Sequence, residues 1–132
     1  MKRYIPMVLV AMLLGGVTVT AHHSLVATYD YEKDAEIEGT LARFLFRNPH
    51  SFVHIEAPDE NGDMQTWSFE WGGAGALTRQ GVNRNTLRVG DVVIISGNPS
   101  RTIDQDHRLK MNTLHRVSDG FGWGTRPGEE VD

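Results

Sequence analysis

The chain has 132 residues, a formal net charge of −4 at pH 7 and no cysteine. Its length suits one domain of ordinary size, and its acidic balance argues against nucleic acid as a partner, because phosphate contacts depend on clustered lysine and arginine. The missing cysteines exclude disulfides, thiolate nucleophiles and cysteine-held zinc, so one hydrophobic core must hold the fold.

Residues 1–21 have the pattern of a signal peptide. Lys2 and Arg3 give a basic start, Ile5–Leu14 is mostly apolar, and small residues precede His22. The apolar run is shorter than the roughly 20 residues that a membrane span needs. We therefore expect cleavage after Ala21, a periplasmic or secreted location, and a mature chain that is not an integral membrane protein. An uncleaved N-terminal anchor is the alternative.

The next segment, residues 22–34, is polar, and we expect an extended lead-in with a few side chains docked on the core: Leu25, Val26 and Tyr29. Strands are predicted from about Glu36 to Phe46 and from Ser51 to Ala57, since apolar and polar residues alternate in both. Pro49 marks a bend between these strands, because proline cannot donate a ladder hydrogen bond.

A hairpin and an aromatic strand follow. Asn61-Gly62 supplies the positive φ angles of a tight turn, so the second strand should pair with a third, Met64–Trp71. One face of this strand carries three aromatic residues: Trp67, Phe69 and Trp71. The alternation assigns that face to the core and leaves Glu70 on the opposite face.

The second half of the chain contains a helix and two strands. Ala76–Gln80 can form a short helix that ends at Gly81, and the β-branched run Val92–Gly97 is typical of a buried strand. A fifth strand, Arg108–Val117, places alternate residues on one face: Leu109, Met111, Thr113, His115 and Val117. Residues 119–132 are rich in glycine and charge, and we expect a flexible tail whose beginning is pinned by Phe121 and Trp123.

Three strands, a short helix and two strands are the element order of an oligonucleotide/oligosaccharide-binding (OB) fold. We therefore predict an all-β domain over residues 35–118, a five-stranded OB-like Greek-key barrel with one short helix between strands three and four. An open antiparallel sandwich is the alternative.

Several short motifs are spread along the mature chain: His22-His23-Ser24, Gly39, Asn48-Pro49-His50, Trp67 with Glu70, Ala76-Leu77-x-Arg79-x-Gly81 and Leu87-x-x-Gly90-Asp91. Together they resemble an uncharacterised family of small exported bacterial proteins, classed as a domain of unknown function. The resemblance implies export and a small β-rich domain, with no established activity or ligand. Gly75 and Val82 stand where that family commonly has an asparagine and an aromatic residue, so a pocket shaped by those positions would differ.

The histidines suggest a metal site. If cleavage follows Ala21, His22 offers its α-amino nitrogen and its imidazole to one metal ion. Further ligands can come from a small set of residues: His23, His50, His54 and Glu70. Imidazole suits copper, zinc and nickel, and the Irving–Williams order favours copper. The alternative is a flexible terminus without a site.

Each candidate also has an ordinary structural interpretation. His50 can cap a backbone carbonyl in the bend, and His54 can be a half-buried histidine with one hydrogen-bond partner. Glu70 can face solvent; if it is covered, it needs Arg43, Arg79 or a histidine as partner, because an unpaired buried charge is costly. The remaining histidines, His107 and His115, are expected to be surface or packing residues.

The leading hypothesis is a non-enzymatic, exported protein that binds a small ligand, namely a transition metal such as copper. An envelope protein-interaction module without metal is one alternative, and a copper-dependent oxidative enzyme is another. The chain has no G-x-S-x-G nucleophile elbow and no nicotinamide, flavin or nucleotide signature.

Overall fold

The computed structural model describes residues 24–102 and 106–124. The elements in these ranges are helix α1 (Ser24–Thr28), strands β1 (Ala35–Leu45), β2 (Phe52–Pro58) and β3 (Met64–Glu70), helix α2 (Ala74–Arg79), and strands β4 (Val92–Pro99), β5 (Arg108–Arg116) and β6 (Gly122–Trp123). The bounds of β1 to β5 and α2 agree with the sequence predictions to within about two residues. The predicted signal peptide, His22 and His23 lie outside the described residues.

Strands β1 to β5 close into a barrel. β1 pairs antiparallel with β2 and with β4, β2 pairs with β3, and β4 pairs with β5. β3 and β5 run parallel and join from Ser68↔Arg108 to Glu70↔Lys110, which closes the barrel. The order around the barrel is therefore β1-β2-β3-β5-β4. The predicted OB-like Greek-key barrel, with one short helix between β3 and β4, is confirmed.

β1 can pair with both β2 and β4 because it bends. Its first half pairs with β4 and its second half with β2, with a register shift between Leu41 and Arg43. Gly39 lies at the crossing, where a Cβ atom would stand 2.6 Å from the carbonyl oxygen of Glu56. A glycine and a register shift are the usual devices by which a strand turns a barrel corner.

The barrel interior is filled by alternate side chains of the strands and by α2. Phe69 and Trp71 are buried, as the alternation predicted, and Leu77 of α2 joins the same cluster. Trp67 is half-buried at the rim, where its Nε1 donates to the carbonyl oxygen of Ala57 at 3.1 Å. Full burial of a side chain such as Phe69 contributes about 1.5–3 kcal/mol.

The N-terminal segment differs from the extended lead-in that we predicted. The Tyr29 amide donates to the carbonyl of Leu25 at 3.0 Å, which closes one helical turn. Tyr29 then forms an isolated bridge with Ser100 and is fully buried, whereas Val26 remains exposed. The turn directs only one side of the segment to the barrel, so Tyr29 docks and Val26 does not.

β5 also differs from its predicted pattern. Leu114 is buried and Val117 is half exposed, although the alternation placed Val117 on the inner face. The pairing with β4 shifts register between Ser96 and Gly97. The extra residue that such a bulge inserts reverses the inward and outward alternation, so the inner face predicted as far as Val117 is wrong for the end of the strand.

The residues after β5 return to the barrel. The ring of Trp123 packs edge-on against Trp71, with centroids 5.0 Å apart, and its Nε1 donates to Oε1 of Gln80 at 2.8 Å. The predicted anchoring by this end of the tail is therefore confirmed up to Gly124. Within the described ranges, no helix has the length and apolar character to cross a membrane.

Candidate ligand-binding cleft

The bend, residues 47–51, is held to β3 by backbone hydrogen bonds. The Ser51 amide donates to the carbonyl of Gly72 at 3.0 Å, and the Trp71 amide donates to the carbonyl of Ser51 at 2.8 Å. The Ser51 hydroxyl lies 3.2 Å from both the amide and the carbonyl of Arg47. These bonds extend the β2–β3 ladder beyond the end of β3 to the residue before β2, and they hold the end of the bend in place.

The start of α2 holds the other side of the bend. The Ala74 amide donates to the carbonyl of Arg47 at 3.0 Å, and the Gly75 amide donates to Oδ1 of Asn48 at 3.2 Å. The bend thus satisfies two amides that a helix leaves unpaired in its first turn. The backbones approach closely at Gly73, where a Cβ atom would stand 2.5 Å from the carbonyl oxygen of Pro49.

Glu70 is the buried charge of this region. It lies on the outer face of β3, opposite the core aromatics, yet it is only 4% exposed. Its Oε2 accepts hydrogen bonds from the Tyr29 hydroxyl at 2.5 Å and from Nη2 of Arg108 at 2.7 Å. Nε of Arg108 also donates to the Tyr29 hydroxyl at 2.8 Å, so the three side chains form a closed triangle.

The solvent-facing interpretation of Glu70 is therefore wrong, and the paired interpretation is confirmed. A histidine is one partner, as predicted, since Nδ1 of His50 lies 3.0 Å from Oε1 of Glu70. The arginine partner is Arg108, supplied by the parallel pairing of β3 with β5, rather than Arg43 or Arg79.

The environment keeps Glu70 ionised and Tyr29 protonated. Burial works to raise the pKa of Glu70, but hydrogen bonds from Tyr29 and Arg108 and the charges of His50 and Arg108 outweigh it, so the net pKa is lowered. Burial, followed by the bond to Glu70, raises the pKa of Tyr29. The phenol thus remains a donor and the carboxylate an acceptor at neutral pH.

His50 connects this triangle to solvent. Its Nδ1 is buried and lies 3.0 Å from Oε1 of Glu70, but it has no hydrogen-bond partner. The two side chains are therefore in contact without a hydrogen bond. The side chain is 37% exposed, so the accessible part of the ring lies away from Glu70.

A cleft of about 400 Å³ opens beside these groups, lined by Arg47, Asn48, Pro49, His50, Phe52, Glu70 and Arg108. This volume falls in the usual range of small-molecule sites, about 300–1,000 Å³. Two guanidinium groups and one imidazole surround the single carboxylate in the lining. The cleft is therefore positively charged, although the chain as a whole is acidic.

An aromatic surface continues from the cleft along β2. The guanidinium carbons of Arg47 and Arg108 lie 5.3 Å and 5.7 Å from the centroid of the Phe52 ring. The His54 ring is nearly parallel to Phe52, with centroids 6.4 Å apart. Burial lowers the pKa of His54, and the positive charges of Arg43 and Arg47 lower it further, so this imidazole is neutral at pH 7.

The structure brings together part of the predicted metal set. His50 and Glu70 are in contact, whereas His54 lies on the same outer face and contacts Phe52. In the part of the chain that is described, no three histidine, aspartate or glutamate side chains are grouped as metal ligands would be. His22 and His23 lie outside that part, so the metal site stays a prediction.

The sequence reasoning missed several residues of the cleft. Docking of Tyr29 was predicted, but its bond to Glu70 was not, and Arg108 carried no local signal at all. Phe52 was visible only as a member of the second predicted strand, and Arg47, between the first two predicted strands, was not assigned to a site. Of the histidines assigned to packing, His107 does contact Trp67, edge to face at 4.6 Å, and Asp106 at 2.9 Å.

Comparison with known proteins gives one finding. No curated protein matches the chain. A family model described as a family of unknown function, DUF6152, matches residues 10–108. The matched range is most of the chain and includes the bend, Glu70 and Arg108. The chain therefore belongs to the DUF6152 family, an uncharacterised family such as the motifs predicted.

Proposed function

We propose that this protein is an exported, non-enzymatic binding protein that holds a small anion in the cleft beside the bend. The charge of the cleft is the observation that supports this most directly. Its one carboxylate, Glu70, already bonds to Arg108 and Tyr29, so it offers little negative charge to repel an anion. Arg47 adds positive charge at the mouth of the cleft.

Arg47 is the residue that we expect to contact the anion first. It is exposed, and its guanidinium packs on the Phe52 ring. A guanidinium held against an aromatic face keeps its N–H fork available for bidentate contact with a carboxylate or phosphate. The bend that carries Arg47 is fixed by β3 and α2, so binding requires little ordering of the backbone.

Titration with small anions tests this function. Sodium acetate, sodium benzoate and sodium phosphate are each added to the protein, and amide shifts of residues 47–52 are followed by NMR. We expect Arg47→Ala to weaken binding about 10-fold, the loss of one charge-assisted contact. Its backbone carbonyl still accepts from Ala74, so the bend is retained.

Arg88→Ala is the matched control, because Arg88 is also an exposed arginine but lies in the turn before β4. This variant should bind as the wild type does. If none of the three anions shifts the cleft residues at millimolar concentration, or if both variants lose affinity equally, the cleft does not hold anions.

Copper is a second candidate ligand, supported by the 3.0 Å contact between His50 and Glu70. A metal ion there would compete with Arg108 for Glu70 and would enter a positively charged wall, which is why we rank an anion first. Copper titration of the exported protein separates the two ligands. Tight binding that is lost in His22→Ala, His50→Ala would establish the metal site.

Export has its own test. Mass spectrometry of the protein isolated from a periplasmic fraction should give His22 as the first residue, because the peptidase pattern ends at Ala21. A chain that still begins at Met1 would contradict the predicted cleavage.

A further inference from the structure

The outer face of β2 presents two aromatic rings side by side. Phe52 and His54 are two residues apart in one strand, and their partners in β3 are Glu70 and Ser68. The ring planes differ by 15°, and both residues are half-buried. Since paired residues share a face, Phe52 lies beside Glu70 in the lining of the cleft, and His54 follows Phe52 on the same face. The guanidinium groups of Arg47 and Arg108 lie over the Phe52 ring.

Each of the two rings has an arginine beside it. Arg47 lies over Phe52 at 5.3 Å from the centroid, and Arg43 is paired with His54 in the β1–β2 ladder. The charges of both arginines act on His54 and help to keep its imidazole neutral. A neutral π surface bordered by cations complements a ligand whose negative charge is attached to a flat ring.

We infer that the ligand of the cleft is a planar aromatic acid, with its carboxylate at Arg47 and its ring beside Phe52 and His54. This inference rests on the proposed anion binding and adds the class of anion. Inorganic phosphate would use Arg47 but not the rings, and a neutral sugar would use the rings but not the charge. The cleft volume of about 400 Å³ fits a one-ring or two-ring acid.

Benzoate and cyclohexanecarboxylate provide the test. Both carry one carboxylate on a six-membered carbon ring, but only benzoate is flat and conjugated. Isothermal titration calorimetry of the wild type should show benzoate binding about 3- to 10-fold more tightly, the value of one aromatic contact. Phe52→Leu should abolish this preference while leaving a weak affinity for both acids that depends on Arg47.

Phe121→Leu is the matched control. Phe121 is also half-buried, with the guanidinium of Arg116 5.2 Å from its centroid, but it lies beside the opposite end of β5. This variant should keep the preference for benzoate. His54→Leu removes the second of the two β2 rings and should reduce the preference even if Phe52→Leu does not fold, which thermal unfolding will show.

The outcomes separate the two proposals. Equal affinities for benzoate and cyclohexanecarboxylate, both weakened by Arg47→Ala, would overturn the aromatic inference and leave anion binding intact. A preference for benzoate that survives in the folded Phe52→Leu and His54→Leu variants would also overturn it. If acetate, phosphate and both ring acids all fail to bind, anion binding itself is wrong.

Discussion

Replacing Glu70 by glutamine tests the electrostatic core of the cleft. The amide has nearly the size of the carboxylate, so packing should change little. The charge, however, is removed from a side chain that is 6% exposed and contacts Arg108, Tyr29 and His50. Arg108 then keeps its positive charge, 32% exposed, without this carboxylate beside it.

Loss of one member of a buried ion pair usually costs about 3–5 kcal/mol. Arg108 retains some access to water, and glutamine can still accept the Tyr29 hydroxyl, so we expect the free energy of unfolding to fall by about 2–3 kcal/mol. Tyr29→Phe removes two hydrogen bonds with charged groups, one to Glu70 and one from Arg108, and should cost about 1.5–3 kcal/mol. The double variant should lose less than the sum, because both changes act on the same bond.

Urea unfolding of the four proteins at pH 7 and in acid provides the assay. The pKa of Glu70 is lower in the folded state than in the unfolded state, so its stabilisation is present above the unfolded value and is lost as the pH falls through the folded value. The stability of wild type and Glu70→Gln should therefore converge in acid. A Glu70→Gln variant within about 0.5 kcal/mol of wild type at pH 7, or a gap that does not depend on pH, would refute this reasoning.

Three further predictions concern the surroundings of the cleft. Gly73→Ala should destabilise the fold by about 1–3 kcal/mol and weaken anion binding, because the new Cβ would stand 2.5 Å from the carbonyl oxygen of Pro49. Gly75→Ala is its control, since the Cβ there has room at 4.0 Å from Asn48. This variant should bind anions normally in the titration followed by NMR. Thr113→Val should lower the free energy of unfolding in urea by about 1–3 kcal/mol, because it removes the partner of the buried Ser96 hydroxyl, 2.7 Å from that of Thr113 in the wild type. Adding Ser96→Ala should recover much of this stability. A further loss of stability in the double variant would contradict this account. As the pH falls from about 7 to 5, the His54→Leu protein should lose less stability than the wild type, because burial and then the charges of Arg43 and Arg47 lower the pKa of His54 in the folded state. Thermal unfolding at several pH values measures this difference. Identical dependence of stability on pH in the two proteins would contradict the prediction.

Local periodicity was sufficient to predict much of the fold. The alternation around Phe69 and Trp71 identified the core face of β3 and placed Glu70 opposite it, because strand geometry depends only on neighbouring residues. The order and spacing of the strands then favoured the barrel, since few arrangements bury five short strands and one helix. The bulge in β5 was missed because only the pairing with β4, in which Ser96 faces Thr113 and Gly97 faces Met111, shows that β5 contains an extra residue.

The partners of Glu70 could not be predicted by the same means. Arg108 is 38 residues away and Tyr29 is 41 residues away, and both reach Glu70 through tertiary contacts. Arg43 and Arg79 were the arginine partners predicted instead. Only the parallel pairing of β3 with β5 shows that the strand beginning at Arg108 closes the barrel next to Glu70.

The burial of Glu70 on the outer face of the barrel has a further consequence. The core does not enclose this carboxylate; Tyr29 of the N-terminal segment and His50 of the bend cover it. Well-packed apolar side chains would stabilise such a position as well as an ion pair does, or better. Stability therefore does not explain why a charged group stands there. What the carboxylate adds is position: it aligns Arg108 and His50 along one wall of the cleft, the arrangement that binding of an anion requires.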